Sequence, residues 1–150
     1  MKHATLDVVS VVSNPIRYAT RIKLYKEFME YMAKEENIRH WTVEIAFGDR
    51  PFEVTEEGNP RHIRFRTYTE LWHKENMINL AVQRFPPNWE YIAWIDGDIR
   101  FARPDWAVET MHQLQHYQFV QMFSQARDMT PELETFQTHK GYLLLELGNY

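Results

Sequence analysis

The run Leu6-Asp7-Val8-Val9-Ser10-Val11-Val12 is almost continuous in apolar and β-branched residues. A strand wetted on one face alternates polar with apolar, so a run without alternation suits a strand covered on both faces. Strands of that kind belong to parallel sheets, which need a crossover between each strand and the next. The chain supplies the crossovers. Ser13-Asn14-Pro15 reads as an N-cap with proline in a first helical turn. Tyr18, Ile22, Tyr25, Met29 and Met32 then form one apolar stripe at helical spacing, carrying the helix to about Lys34. A second strand is predicted at Trp41 to Phe47, closed by Gly48-Asp49, and residues 49–60 read as a polar loop. His62 to Arg66 suits a short third strand. Glu70 to Phe85 reads as a helix stopped by Pro86-Pro87, and Tyr91 to Ile95 as a fourth strand. Pro104 opens a helix with Ala107, Met111 and Leu114 inward, and Tyr117 to Phe123 is predicted as a fifth strand. This alternation argues for an α/β fold with a mostly parallel, Rossmann-like sheet flanked by helices. The 150 residues suit one domain with a substantial core, residues 124–150 being left unassigned.

Composition removes several function classes. There is no cysteine, which excludes disulfides and thiolate metal sites. A net charge of −4 gives no support for nucleic acid or an anionic membrane as partner. No apolar run approaches the roughly 20 residues of a membrane span. The first residues, Met1-Lys2-His3-Ala4, do not read as a signal peptide, so a cytoplasmic protein is expected.

In parallel α/β sheets ligands bind beyond the carboxyl ends of the strands. Three polar clusters fall at such ends: Ser13-Asn14, Gly48-Asp49 and Asp96-Gly97-Asp98. The last places two carboxylates one residue apart after a β-prone run, where a hard divalent cation could bridge them to phosphates. Asp-Gly is also a tight-hairpin signal. Against a hairpin stand the buried character of Ile92-Ala93-Trp94-Ile95 and the early helix start at Pro104. The helix before this strand has an inward stripe of Leu71, Lys74 or Glu75, Ile78, Ala81-Val82 and Phe85. A charge in that stripe needs a partner or a polar cavity. A lysine near a helix N-terminus is disfavoured by the dipole unless it meets an anion, and a phosphate would satisfy it. Pairing of Lys74 with Glu75 at the surface is the plainer alternative. His112 and His116 share a helical face but have no acidic third ligand beside them, and a solvated face explains them better. No Walker or Rossmann glycine fingerprint is present.

These residues together resemble a family. Leu71-Trp72-His73-Lys74-Glu75-Asn76-Met77-Ile78-Asn79, followed by Trp89-Glu90-Tyr91-Ile92-Ala93-Trp94-Ile95-Asp96-Gly97-Asp98, is similar to the helix–strand–DxD block of GT-A fold glycosyltransferases. The likeness is to beta-1,4-galactosyltransferase-like members, whose helix carries an aromatic, a basic residue and an asparagine at the places of Trp72, Lys74 and Asn79. The resemblance implies a glycosyltransferase with a nucleotide-diphosphate sugar donor, UDP-linked above all. It implies Lys74 near the diphosphate, Asn79 and Trp72 beside the donor, Ser13 and Asn14 cradling the nucleotide and Asp49 touching the base. Asp98 would ligate Mn²⁺ or Mg²⁺, with Asp96 helping directly or through ribose or water. The likeness covers roughly residues 5 to 123. Members of the family usually carry about another hundred residues with the acceptor site, so the chain is expected to be a truncated, donor-binding half with catalytic base and acceptor unknown. Two rivals share the sheet: a sugar nucleotidyltransferase, disfavoured because Ser13-Asn14-Pro15-Ile16 is not glycine-rich, and a non-catalytic nucleotide-binding fragment.

Overall fold

A computed structural model describes residues 4–142. The expectations drawn from the first three residues and from the tail 143–150 lie outside the described residues. The chain divides into two compact units, one running through Met111 and the other starting at His112.

In the first unit the elements follow in order as strand β1 (Leu6–Ser13), helix α1 (Ala19–Met32), strands β2 (Ile38–Phe47) and β3 (His62–Thr67), helix α2 (Lys74–Val82) and strand β4 (Tyr91–Trp94). Helix α3 (Trp106–Leu114) runs across the divide. The four strands make one sheet of order β3-β2-β1-β4, parallel throughout. The α/β architecture read from the sequence is therefore present, with a parallel sheet flanked by helices. Every residue of β1 from Leu6 to Ser10 is buried, as an unalternating run requires.

The two faces of the sheet have different partners. Val9, Trp41, Val43, Ile45, Phe47 and Ile63 pack with Met77 and Ala81 of α2 and with Phe85 beyond it. Trp41 and Phe85 stack at 4.6 Å between centroids. Each such large side chain contributes about 1.5–3 kcal/mol on full burial. On the other face lie Ser10 and His40, met by Tyr25 and Phe28 of α1. At the amino end of β1 the fully buried Asp7 accepts from Arg39 Nε at 2.9 Å, Arg39 Nη2 at 2.6 Å and Trp41 Nε1 at 2.8 Å. A carboxylate removed from water needs such partners, and this one has them far from the carboxyl edge.

Both crossover helices start later than the periodicity predicts. The expected cap at Ser13-Asn14-Pro15 does not open α1. Ser13 ends β1, and the Asn14 amide closes a turn, its Oδ1 accepting the Tyr18 N–H at 2.9 Å and its Nδ2 donating to the Tyr18 carbonyl at 3.0 Å. Arg17 takes φ 64°, which no helix tolerates, so α1 begins at Ala19. The buried stripe is accordingly Tyr25, Phe28 and Met32, while Tyr18 stays exposed. Oγ1 of Thr67 likewise accepts the Thr69 N–H at 3.2 Å, closing a bend after β3, and α2 begins only at Lys74.

The second unit contains an antiparallel hairpin of β5 (Gln125–Met129) and β6 (Thr135–Lys140). The strand predicted at Tyr117 to Phe123 is not there. Its period-two aromatics are exposed, and no strand among the described residues pairs with it, whereas Gln125–Met129 finds a local partner across the turn at Thr130–Glu134. A strand exists only where a neighbour takes its backbone groups.

Candidate functional site

All four parallel strands end on the same edge of the first unit, so the loops after Ser13, Phe47, Thr67 and Trp94 share it. Strand β4 pairs only with Leu6 to Val9, and β1 continues to Ser13. The chain thus leaves the sheet early on that side. The crossovers from β1 lead one way, to β2 and β3, and β4 lies on the other flank of β1. That reversal of strand order is where open α/β sheets form ligand crevices.

Asp96, Gly97 and Asp98 occupy the turn after β4. A two-residue hairpin would need glycine at positive φ and a returning antiparallel strand. Gly48 and Gly58 have positive φ and Gly97 does not, and β4 pairs with β1 alone. The turn is therefore a loop at a sheet edge.

Lys74 and Asp96, separated by 22 positions in sequence, form an ion pair. Lys74 is the first residue of α2 and faces inward, its side chain 29% exposed; Asp96 is more open. The charge interrupting the apolar stripe is thus Lys74 and not Glu75, which is exposed. Glu75 instead pairs with its own neighbourhood: the Trp72 side chain hydrogen-bonds it and, with lesser help from Lys74, holds its carboxyl below the usual range. Trp72 itself is largely exposed, and Asn79 faces solvent one turn beyond Glu75. Asp98 is exposed and has no partner among the described residues. The structure thus brings Lys74 and Asp96 together, sets Asp98 beside them in sequence, and leaves Trp72 exposed ahead of α2 and Asn79 on the outer side of that helix.

Beyond β2 and β3 lies an open cleft of about 590 Å³, lined by Arg17, Asp49, Arg50, Pro51, Tyr68 and Glu70, with Phe47 and Gly48 at its base. Asp49, a candidate from the sequence, lines this cleft, with the Tyr68 hydroxyl 3.4 Å from its Oδ1. Arg17, Arg50 and Tyr68 escaped the sequence reading. Tyr68 directly follows the third strand end, which was the available signal; the place of Arg17 depends on its left-handed backbone, which no local pattern announces.

The loop that forms this cleft is held from below. Glu44 of β2 is buried and accepts the N–H groups of Glu53, Val54 and Thr55, the last at 2.8 Å, together with the Thr55 hydroxyl. Arg66 donates to the carbonyls of Gly48 and Arg50, and Arg50 donates to that of Pro15 at 2.7 Å. Arg21 donates to the Ser13 carbonyl at 2.8 Å. Ser13 and Asn14 therefore enter as backbone supports of the edge, the Asn14 amide being taken up by Tyr18.

No three histidine, aspartate or glutamate side chains gather at one point among the described residues. Mg²⁺ and Mn²⁺ at phosphate sites usually take one or two carboxylates and fill their shells with phosphate oxygens and water. An all-oxygen pair in an exposed turn fits that habit, through Asp98 first, since the ammonium of Lys74 already occupies Asp96. His112 is exposed in the last turn of α3, and His116 lies beyond the helix end, so the two do not form a helical chelate.

Comparison with protein-family models, with curated proteins and with solved structures gave no match.

Proposed function

We propose that the first unit binds a nucleotide-diphosphate sugar, UDP-linked, at the carboxyl edge of its sheet and serves glycosyl transfer, with the GT-A fold as its structural class. The observation that carries this reading is the meeting of Lys74 and Asp96 at the reversal of strand order, beside a second free carboxylate. Lysine at the first position of a helix opposes the dipole, and an inward orientation adds a desolvation cost. Both costs are offset when the ammonium faces a diphosphate. The cleft of Asp49, Arg50 and Tyr68 has the volume of a small-molecule site, and an exposed phenol ring beside a carboxylate suits a nucleobase, one stacking and the other accepting an N–H.

Transfer breaks the bond between the anomeric carbon and the diphosphate oxygen, which departs with the electron pair. An acceptor oxygen forms the new bond to that carbon and gives up its proton. Lys74 would stabilise the charge growing on the diphosphate. Asp96 would hold that ammonium in place before the donor arrives, and Asp98 would hold a divalent cation. Bound there, Mn²⁺ or Mg²⁺ would supply Lewis-acid neutralisation of the leaving group.

Calorimetric titration of UDP, with Mn²⁺ and again with EDTA, tests the reading. Binding at least about tenfold tighter with the cation is expected, equal to ~1.4 kcal/mol. Equal affinity in both would remove the cation, and no binding in either would remove the nucleotide. Incubation with labelled UDP-sugars then separates the chemistries. Sugar transfer or hydrolysis fits the proposal, pyrophosphate exchange would reassign the site to a nucleotidyltransferase, and binding without turnover would leave a donor-binding fragment.

A further inference from the structure

The Asp96-Gly97-Asp98 turn rests on a buried tyrosine. The backbone of Gly97 has no positive φ, so its conformation is open to any residue. Space demands the glycine instead. A methyl group on its Cα would fall well inside contact distance of Cδ2 and Cε2 of Tyr25. An unanchored ring could swing aside, but Tyr25 is buried in α1 and tied at its far end. Its hydroxyl shares a 2.6 Å hydrogen bond with Ser10 Oγ and donates to the Ser10 carbonyl at 3.3 Å. Ser10 Oγ is in turn 2.6 Å from His40 Nε2. Burial pushes the Tyr25 hydroxyl up to about 12 and the His40 imidazole down to about 4, so both stay neutral across ordinary pH.

The chain is also fastened on either side of the turn. The Ile95 N–H donates to the Val9 carbonyl at 3.0 Å. Downstream, the Phe101 N–H donates to the Tyr31 hydroxyl at 3.4 Å, and the Trp106 indole donates to Glu35 at 3.0 Å. Tyr25 and Tyr31 both belong to α1, so one helix backs the turn and the segment after it.

We infer that Tyr25 is a positioning residue: its ring, fixed by Ser10, sets where the carboxylates of Asp96 and Asp98 are presented, and residue 97 is glycine because the ring fills the place of its side chain. The role in binding rests on the reading of those carboxylates as facing a diphosphate and a cation.

The experiment is a double-mutant cycle on Gly97→Ala and Tyr25→Val, read both by urea denaturation and by UDP titration in Mn²⁺. Valine ends at Cγ and vacates the ring positions that the new methyl would meet. In the wild-type background Gly97→Ala should lower the urea midpoint and weaken UDP roughly 10- to 100-fold, the loss expected when one contact to a charged group is misplaced. In the Tyr25→Val background the same substitution should change neither quantity. Tyr25→Phe keeps the ring, so Gly97→Ala should remain costly there. Equal costs of Gly97→Ala in the wild-type and Tyr25→Val backgrounds would overturn the inference, as would no cost in either. Should Tyr25→Val not fold, the Tyr25 ring resonances in the Gly97→Ala protein decide: shifted signals support the contact, and unmoved ones overturn it. A wild-type chain that does not bind UDP refutes the donor reading and, with it, the presentation of these carboxylates to a ligand. The denaturation cycle still judges, by itself, whether the ring is the reason for glycine at 97.

Discussion

Replacing Lys74 with methionine separates a surface ion pair from a phosphate-binding ammonium. Methionine keeps the apolar stem on the inward stripe of α2 and removes the charge. The pair with Asp96 is partly open, the two side chains being 29% and 62% exposed. Such pairs contribute about 0.2–1 kcal/mol. Removing a cation from the first residue of a helix returns about 0.3–1 kcal/mol through the dipole. The two nearly cancel, so urea denaturation of the free protein should shift by no more than ~0.5 kcal/mol. Ligand affinity should behave differently. A hydrogen bond from the ammonium to a diphosphate is worth roughly 1.5–3 kcal/mol, which is about a ten- to 150-fold loss in UDP affinity. Uridine lacks the phosphates and should bind both proteins equally. Calorimetry of UDP and uridine in Mn²⁺ provides the comparison. Unchanged UDP affinity in Lys74→Met would refute the reasoning and leave Lys74 as a partner of Asp96 and nothing more.

Other outcomes follow from the same geometry. Asp98→Ala should erase the difference between UDP titrations in Mn²⁺ and EDTA while leaving thermal unfolding unchanged, because the side chain is exposed; a persistent difference would place the cation elsewhere. His40 is held neutral by burial, its pKa about 4 when folded against 6.5 when unfolded. Its contribution is therefore complete above pH 6.5 and lost as pH falls toward 4, by on the order of 3 kcal/mol. His40→Gln should flatten that part of the stability profile, and an unaltered profile would exclude His40 as its source. Glu44→Gln presents an amide NH₂ to backbone donors and should cost roughly 1–3 kcal/mol. Hydrogen exchange at Glu53, Val54 and Thr55 should accelerate, and unchanged protection there would mean that the loop is held by other contacts.

The central strands β1 and β2 were legible because they are largely buried on both faces, and burial writes itself into the sequence as unbroken apolar runs. The run Ile92-Ala93-Trp94-Ile95 reads the same way, yet β4 is an edge strand and Trp94 is exposed. Trp41 to Phe47 and Tyr91 to Ile95 fall within a few residues of β2 and β4. Helix starts were less legible. Asn14-Pro15 carries the composition of a cap, yet the amide serves a local turn, and only the backbone of Arg17 shows why. The hairpin of Gln125–Met129 and Thr135–Lys140 was invisible because its strands are mostly exposed and carry no apolar period. At the candidate site, a charge misplaced on an apolar stripe signalled that Lys74 needs a partner, but the partner read from the sequence was a phosphate or Glu75, and Asp96 lies 22 positions away. The contact between Gly97 and Tyr25 could not, since nothing near either residue in the sequence refers to the other.

Strand β1 is made before either of its neighbours, yet it lies between them. Leu6 pairs with Ile38 on one side and, far later in the chain, with Tyr91 on the other. Until β4 has emerged, Leu6 to Val9 of β1 presents an unpaired backbone flank, apolar but for Asp7, of the kind that recruits other chains. Pairings this distant in sequence also form slowly. Any fragment ending before Tyr91 would keep that flank permanently bare, and such fragments are expected to collect in inclusion bodies while longer ones do not. The central position of the first strand thus sets the shortest piece of this chain that can be handled alone.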